Sequence, residues 1–169
     1  MLGLCYAIPQ WFPYCSKSML HHSFRRGKIV QQFKKLNPDI ITVQELDSID
    51  FFRDELSKIG YECVYKQRPH KEDGCGIFFK AEKFQLSRSH SVDYNDGSLR
   101  IGLFALLALR SQQTNSNDEE LQPCICVGTT HLYWDDSYMD VLTSEIKVFL
   151  ANLDNFNLSP NGKLPTIIA

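Results

Sequence analysis

The chain has 169 residues, 43% hydrophobic, 12% aromatic and 22% charged, with a formal net charge of −2. That length suits one domain with a real core, and the even charge balance excludes a global basic field for nucleic acid, leaving only local patches for such binding. No apolar run reaches membrane-spanning length, and Met1–Ile8 is short, lacks a basic start and is broken by Pro9, so the expectation is a cytoplasmic or nuclear protein with no membrane contact.

Residues 1–13 read as an irregular segment, rich in aromatics and interrupted by Pro9 and Pro13, and residues 14–169 as the domain proper. From about Ser23 to Leu36, Ile29, Val30, Phe33 and Leu36 mark one helix face, with Arg25, Arg26, Lys28, Lys34 and Lys35 on the wet side. Gly27 weakens that helix. Pro38 then opens a run, Ile40-Ile41-Thr42-Val43, that reads as a central strand buried on both faces and ending in Gln44-Glu45. Asp47 or Ser48 caps a second helix with Ile49, Phe52, Leu56 and Ile59 inward and Gly60 as its stop.

Tyr61–Lys66, Cys75–Phe79 and Phe84–Val92 read as strands, and Asn95-Asp96-Gly97 as a turn. Ile101–Leu109, bounded by Arg100 and Arg110, is an apolar strand that pairs with Cys124–Thr130 across a polar linker over 111–123. A helix follows from near Ser137 to Leu153 with Ile146, Phe149, Leu150 and Leu153 inward. After the Pro160-Asn161-Gly162 turn, Leu164–Ala169 reads as a strand entering the core, as in the first part of a longer domain. The cysteines, Cys5, Cys15, Cys63, Cys75, Cys124 and Cys126, form no C-x-x-C pair, and several of them, in apolar strand-like runs, read as small buried hydrophobes of a reducing compartment.

Two strand ends carry chemistry. Glu45, at the end of a rigid strand, is placed to hold a hard cation; the alternative is that it is simply the first solvated residue after the core. His131, in Thr129-Thr130-His131-Leu132-Tyr133-Trp134-Asp135, ends another strand. A histidine is a poor magnesium ligand, so its chemistry would be a hydrogen bond to a phosphate; the alternative is a satisfied structural histidine. If the two strands share one sheet system, the acid and the imidazole converge at one edge. Trp134 reads as packing rather than base stacking.

Gln44-Glu45 after Asp39-Ile40-Ile41, Lys66-x-Arg68, Asp73-Gly74-Cys75-Gly76-Ile77-Phe78-Phe79-Lys80 with Glu82-Lys83-Phe84, and Thr130–Asp135 stand in one family order. Together they resemble the endonuclease/exonuclease/phosphatase superfamily, in the branch of the carbon catabolite repressor deadenylases, the Angel proteins, nocturnin and the 2',5'-phosphodiesterase. The resemblance runs from Tyr14, in a Tyr14-Cys15 pair, to Ala169. It implies an α/β fold, a two-sheet β-sandwich flanked by helices in the four-layer α/β/β/α manner of deoxyribonuclease I, here covering its N-terminal half. It also implies Glu45 as a magnesium ligand, His131 as the contact to the scissile phosphate, and Asp73-Gly74-Cys75 as a structural turn.

The sequence departs from the family at several points. The family's first strand carries a Tyr-Asn pair, whereas Ala7 follows Cys5-Tyr6 here. Either that asparagine is replaced, or residues 1–13 are something else. Thr129 stands for an asparagine and Asp136 for a proline that contacts the base in deadenylases. The Gly-Asp-Phe-Asn and Ser-Asp-His motifs are not present. The resulting expectation is a Mg²⁺-dependent phosphodiesterase on RNA 3' ends, poly(A) or other, in a longer parent, with this chain inactive alone. The alternatives are a scaffold that has lost its site and a phosphoesterase acting on lipid or small phosphate esters.

Overall fold

The computed structural model describes residue 1 and residues 3–110, 123–159 and 162–169. Residues 111–122 of the linker expected over 111–123, and the first two residues of the Pro160-Asn161-Gly162 turn, lie outside the described residues. In chain order the helices are α1 (Lys17–Leu20), α2 (His22–Leu36), α3 (Ile49–Ser57) and α4 (Met139–Phe156). The strands are β1 (Ile40–Leu46), β2 (Tyr61–Gln67), β3 (Gly74–Lys80), β4 (Phe84–Asp93), β5 (Ile101–Leu109), β6 (Cys124–Thr130), β7 (Leu158–Ser159), β8 (Gly162–Lys163) and β9 (Thr166–Ile168).

Two sheets make the frame, one ordered β1-β3-β2 and the other β4-β5-β6-β9, with β7-β8 a separate small hairpin. The period of two along each strand sorts side chains into three cores. Cys75, Ile77 and Phe79 of β3 face Ile101, Leu103, Ala105 and Leu107 of β5 and fill the space between the sheets. Phe78 turns the other way, joining Ile41, Val43, Leu46, Phe52 and Leu56 beneath α2 and α3. Phe104, Leu106 and Cys126 pack outward under Phe149 and Leu153 of α4. The layers are therefore helix, sheet, sheet, helix, the expected α/β arrangement.

Two glycines are required by this packing. A Cβ on Gly102 would stand 2.8 Å from the Phe149 ring, so α4 seats on a bare strip of sheet. A Cβ on Gly74 would meet the Lys66 carbonyl oxygen at 2.1 Å, which fixes Asp73-Gly74 as a structural entry to β3.

Four expectations change. β1 lies at an edge of its sheet and β3 is central, because both β1 and β2 pair with β3. Both kinds of strand give continuous apolar runs, so composition did not separate them. On α4 the inward face is Glu145, Phe149 and Leu153, while Ile146 and Leu150 are 38% and 46% exposed. The helix is rotated to bury a glutamate. On the first two long helices, Leu36 and Ile59 are likewise exposed, lying at or beyond the helix ends. Thr166–Ile168 pairs in parallel with β6 but stays exposed at the sheet edge rather than entering the core. Gly27 does sit inside α2, with nothing near its would-be Cβ, so no packing there requires a glycine.

Candidate active site

Strict alternation along β1 would send Glu45 into the helix-side core with Ile41 and Val43. A bulge between Val43 and Leu46 intervenes, with Glu45 in the left-handed region at φ 53°. Leu46 takes the core position and Glu45 is released toward the open end of the sandwich. Left-handed backbone at a non-glycine residue costs of order 1–3 kcal/mol and persists only where surrounding structure imposes it.

His131 reaches the same end from the other sheet, on the parity of Val127 and Thr129, immediately after β6. Its Nε2 lies 3.7 Å from Glu45 Oε1. The sheets are tied beside this meeting point by Gln44, whose Nε2 donates to Thr129 Oγ1 at 2.8 Å. The two residues singled out from sequence are therefore brought together, each from its own sheet.

Several neighbours were not singled out. The Gly3 N–H donates to Glu45 Oε2 at 2.7 Å, so the N-terminal segment closes over the carboxylate. Among its described residues that segment holds a 3₁₀ turn over Leu4–Tyr6 and no strand. Arg100 Nη1 lies 2.8 Å from His131 Nε2 and 3.0 Å from Nδ1 and donates to whichever nitrogen lacks the proton. Arg68 Nε and Nη2 donate to Asp73 Oδ1 at 3.1 and 2.7 Å, a buried pair. A cleft of about 220 Å³ opens beside Gly3, Tyr6, Asp47 and Asp73.

Burial, with Arg100 and Arg68 close by, depresses the His131 pKa to about 4. At neutral pH the ring is uncharged: one nitrogen accepts from Arg100 and the other carries a proton it can donate. Such a ring is a hydrogen-bond donor at one nitrogen and an acceptor at the other.

Behind the site, Glu145 anchors both arms. Its Oε2 accepts from the Tyr133 N–H at 2.6 Å, two residues past His131. Its Oε1 accepts from Ser98 Oγ at 2.7 Å, and Ser98 Oγ in turn accepts from the Arg100 N–H at 3.1 Å. Burial raises the Glu145 pKa. Hydrophobic periodicity favours Ile146, and nothing local in the sequence marks Glu145.

Trp134 departs from expectation. It is 77% exposed, stacked loosely on Tyr133, and packs on no core. Asp136 opens a 3₁₀ turn over Asp136–Tyr138, capped by Asp135 Oδ1 accepting from the Ser137 N–H at 2.9 Å.

For a metal, no three His, Cys, Asp or Glu side chains cluster among the described residues. Glu45 has one oxygen committed to Gly3 and the other facing His131. Glu45 is the residue here that would hold a hard divalent cation, which would supply positive charge beside the His131 ring. Among the described residues no helix is long and apolar enough to cross a membrane.

The chain is 29% identical over 167 residues to protein angel homolog 2 of Bos taurus, covering 93% of this chain and 30% of that protein. It is 28% identical to the CCR4-Not complex 3'-5'-exoribonuclease subunit Ccr4 of Kluyveromyces lactis, covering 88% of this chain and 22% of that one. The fold superposes with a TM-score of 0.82 and 27% identity on ANGEL2, described as a 2',3'-cyclic phosphatase and solved with adenosine-2',3'-vanadate, over 99% of this chain and 49% of that one. The chain thus spans about a third or less of the curated relatives' length and half of the solved chain. The profile of the endonuclease/exonuclease/phosphatase family matches residues 20–154, and the chain belongs to that family.

Proposed function

We propose that residues 14–169 form part of a magnesium-dependent phosphoric ester hydrolase site that acts on RNA 3' ends. The observation that carries this reading is the 3.7 Å approach of Glu45 and His131 from separate sheets. Glu45 would hold the metal, which supplies Lewis-acid stabilisation of phosphoryl oxygens when bound. His131, neutral at pH 7, keeps its ring proton and donates a hydrogen bond from that N–H to a non-bridging oxygen of the scissile phosphate, where negative charge grows during displacement. Burial, with Arg100 and Arg68 close by, keeps that ring uncharged, and the Gln44–Thr129 hydrogen bond ties the two sheets beside it. One carboxylate is a thin metal cage, so this chain by itself turns over no substrate.

The relatives support an RNA-end substrate: one is named an exoribonuclease and another a 2',3'-cyclic phosphatase holding an adenosine compound. Both chemistries occur at a ribose 3' end. A cytoplasmic or nuclear setting is consistent with that substrate.

The test is hydrolysis of oligoadenylate, of an RNA 2',3'-cyclic phosphate and of a sphingomyelin analogue. It is run with the chain alone and with the chain joined to the second half of the angel homolog 2 domain. The joined protein is expected to cleave an RNA end with Mg²⁺, and Glu45→Gln or His131→Ala to lose about 10²-fold or more. Cleavage of the lipid analogue alone would place the protein among phosphoesterases of other substrates. Activity indifferent to both substitutions would end the reading.

A further inference from the structure

The two buried guanidiniums of the site differ in how they are neutralised. Arg68, 3% exposed, is matched by Asp73. Arg100, 7% exposed, has no carboxylate within ion-pair distance among the described residues, and its Nε is buried without a hydrogen-bond partner. Its side-chain hydrogen-bond partner is the ring of His131, with Nη1 2.8 Å from Nε2 and 3.0 Å from Nδ1. Leaving a buried charge without an ion-pair partner is costly.

The fold nevertheless holds Arg100 firmly. Leu99, just before it, sits at φ 59°, a left-handed conformation that a leucine rarely adopts. The Arg100 backbone N–H is tied through Ser98 to the buried Glu145. Backbone strain and a buried carboxylate anchor thus both keep a guanidinium that lacks an ion-pair partner beside the His131 imidazole. Two donors that converge where a positive charge lacks its partner form a receptor for an oxyanion.

We propose that Arg100 is a substrate contact that binds the phosphate group His131 faces, its guanidinium supplying the charge and the imidazole a second donor. This rests on the phosphoester reading of the same site and adds to it the residue that carries anion affinity. The ligand class is a tetrahedral phosphate oxyanion, and recognition needs no metal.

Inorganic phosphate is titrated into the chain in EDTA, following the arginine Nε–H signals by NMR, for wild type, Arg100→Met, Arg100→Lys and the distant control Arg53→Met. The wild-type Arg100 signal is expected to shift. Arg100→Met is expected to bind phosphate about tenfold more weakly or worse, Arg100→Lys to fall between, and Arg53→Met to match wild type. The melting temperature separates this from a structural role: removing an uncompensated buried charge leaves Arg100→Met at or above wild type. Phosphate binding by Arg100→Met within about twofold of wild type overturns the proposal, as does wild type binding none. Should Arg100→Met fail to fold, Arg100→Lys carries the test by the same criterion. If hydrolysis needs Glu45 and His131 while phosphate affinity ignores Arg100, only this proposal falls. If phosphate affinity needs Arg100 but no phosphoester is cleaved, only the hydrolase reading falls.

Discussion

The middle of the sandwich and its open end are built on opposite rules. In the middle, Ile77 and Phe79 meet Leu103, Ala105 and Leu107 on regular period-two strands with no polar side chain between them. At the open end, within a few residues of the same strands, stand Glu45, Arg68, Asp73, Arg100 and His131, with Glu45 and Leu99 both left-handed. The apolar middle supplies stability, and the open end spends some of it to hold charges where water would otherwise neutralise them. Changes in the middle should therefore cost stability, and changes at the open end should cost function with stability unaltered or improved.

The contrast is sharpest at Phe79, which is 1% exposed between the sheets. Phe79→Ala is expected to lose about 3–5 kcal/mol in urea unfolding; a loss comparable to that of a surface substitution would contradict the account. Acid acts on the other region. The His131 pKa is about 4 when folded and near 6.5 when unfolded. Below 6.5 the unfolded chain takes up a proton the folded one refuses, so stability is intact above pH 6.5 and falls as pH drops toward 4. The loss approaches about 3 kcal/mol, and His131→Gln should flatten it. An unchanged unfolding midpoint between pH 7 and pH 4 would sink this prediction.

Glu145 tests whether the anchor is stabilising or merely geometric. Its pKa is raised, so its contribution is fully present below about 4.5 and is lost as pH rises through the folded value. Glu145→Gln is therefore expected to be neutral or stabilising at pH 7 relative to pH 4, read by melting temperature. The smallest effect is remote from both regions. Gly27, with open space at its Cβ inside α2, should gain about 0.5–1 kcal/mol on substitution by alanine.

These regions also differed in how far they could be read in advance. Strands β1 to β6, with the β5–β6 pairing, and helices α2, α3 and α4 follow from period and turn residues because those signals are local. Glu45 and His131 stand out because each is a polar side chain at the exit of an apolar strand. Arg100 does not stand out, since it flanks its strand just as Arg110 does. One is buried beside an imidazole and the other is exposed. Only the pairing of β5 with β6, and of β1 with β3, decides between them. Likewise Glu145 hides behind Ile146 and Leu150, because the turn at Asp136–Tyr138 sets the rotation of α4 and no residue of the helix announces it.

The central claim is that Glu45 and His131 form one metal-and-phosphate mouth. Mn²⁺, a paramagnetic stand-in for Mg²⁺, tests it most directly when titrated while the histidine ring signals are followed by NMR. The account predicts early, selective broadening of His131, with His21 and His90 unaffected, and loss of that broadening in Glu45→Gln. Equal broadening in Glu45→Gln, or broadening centred on another histidine, would contradict it.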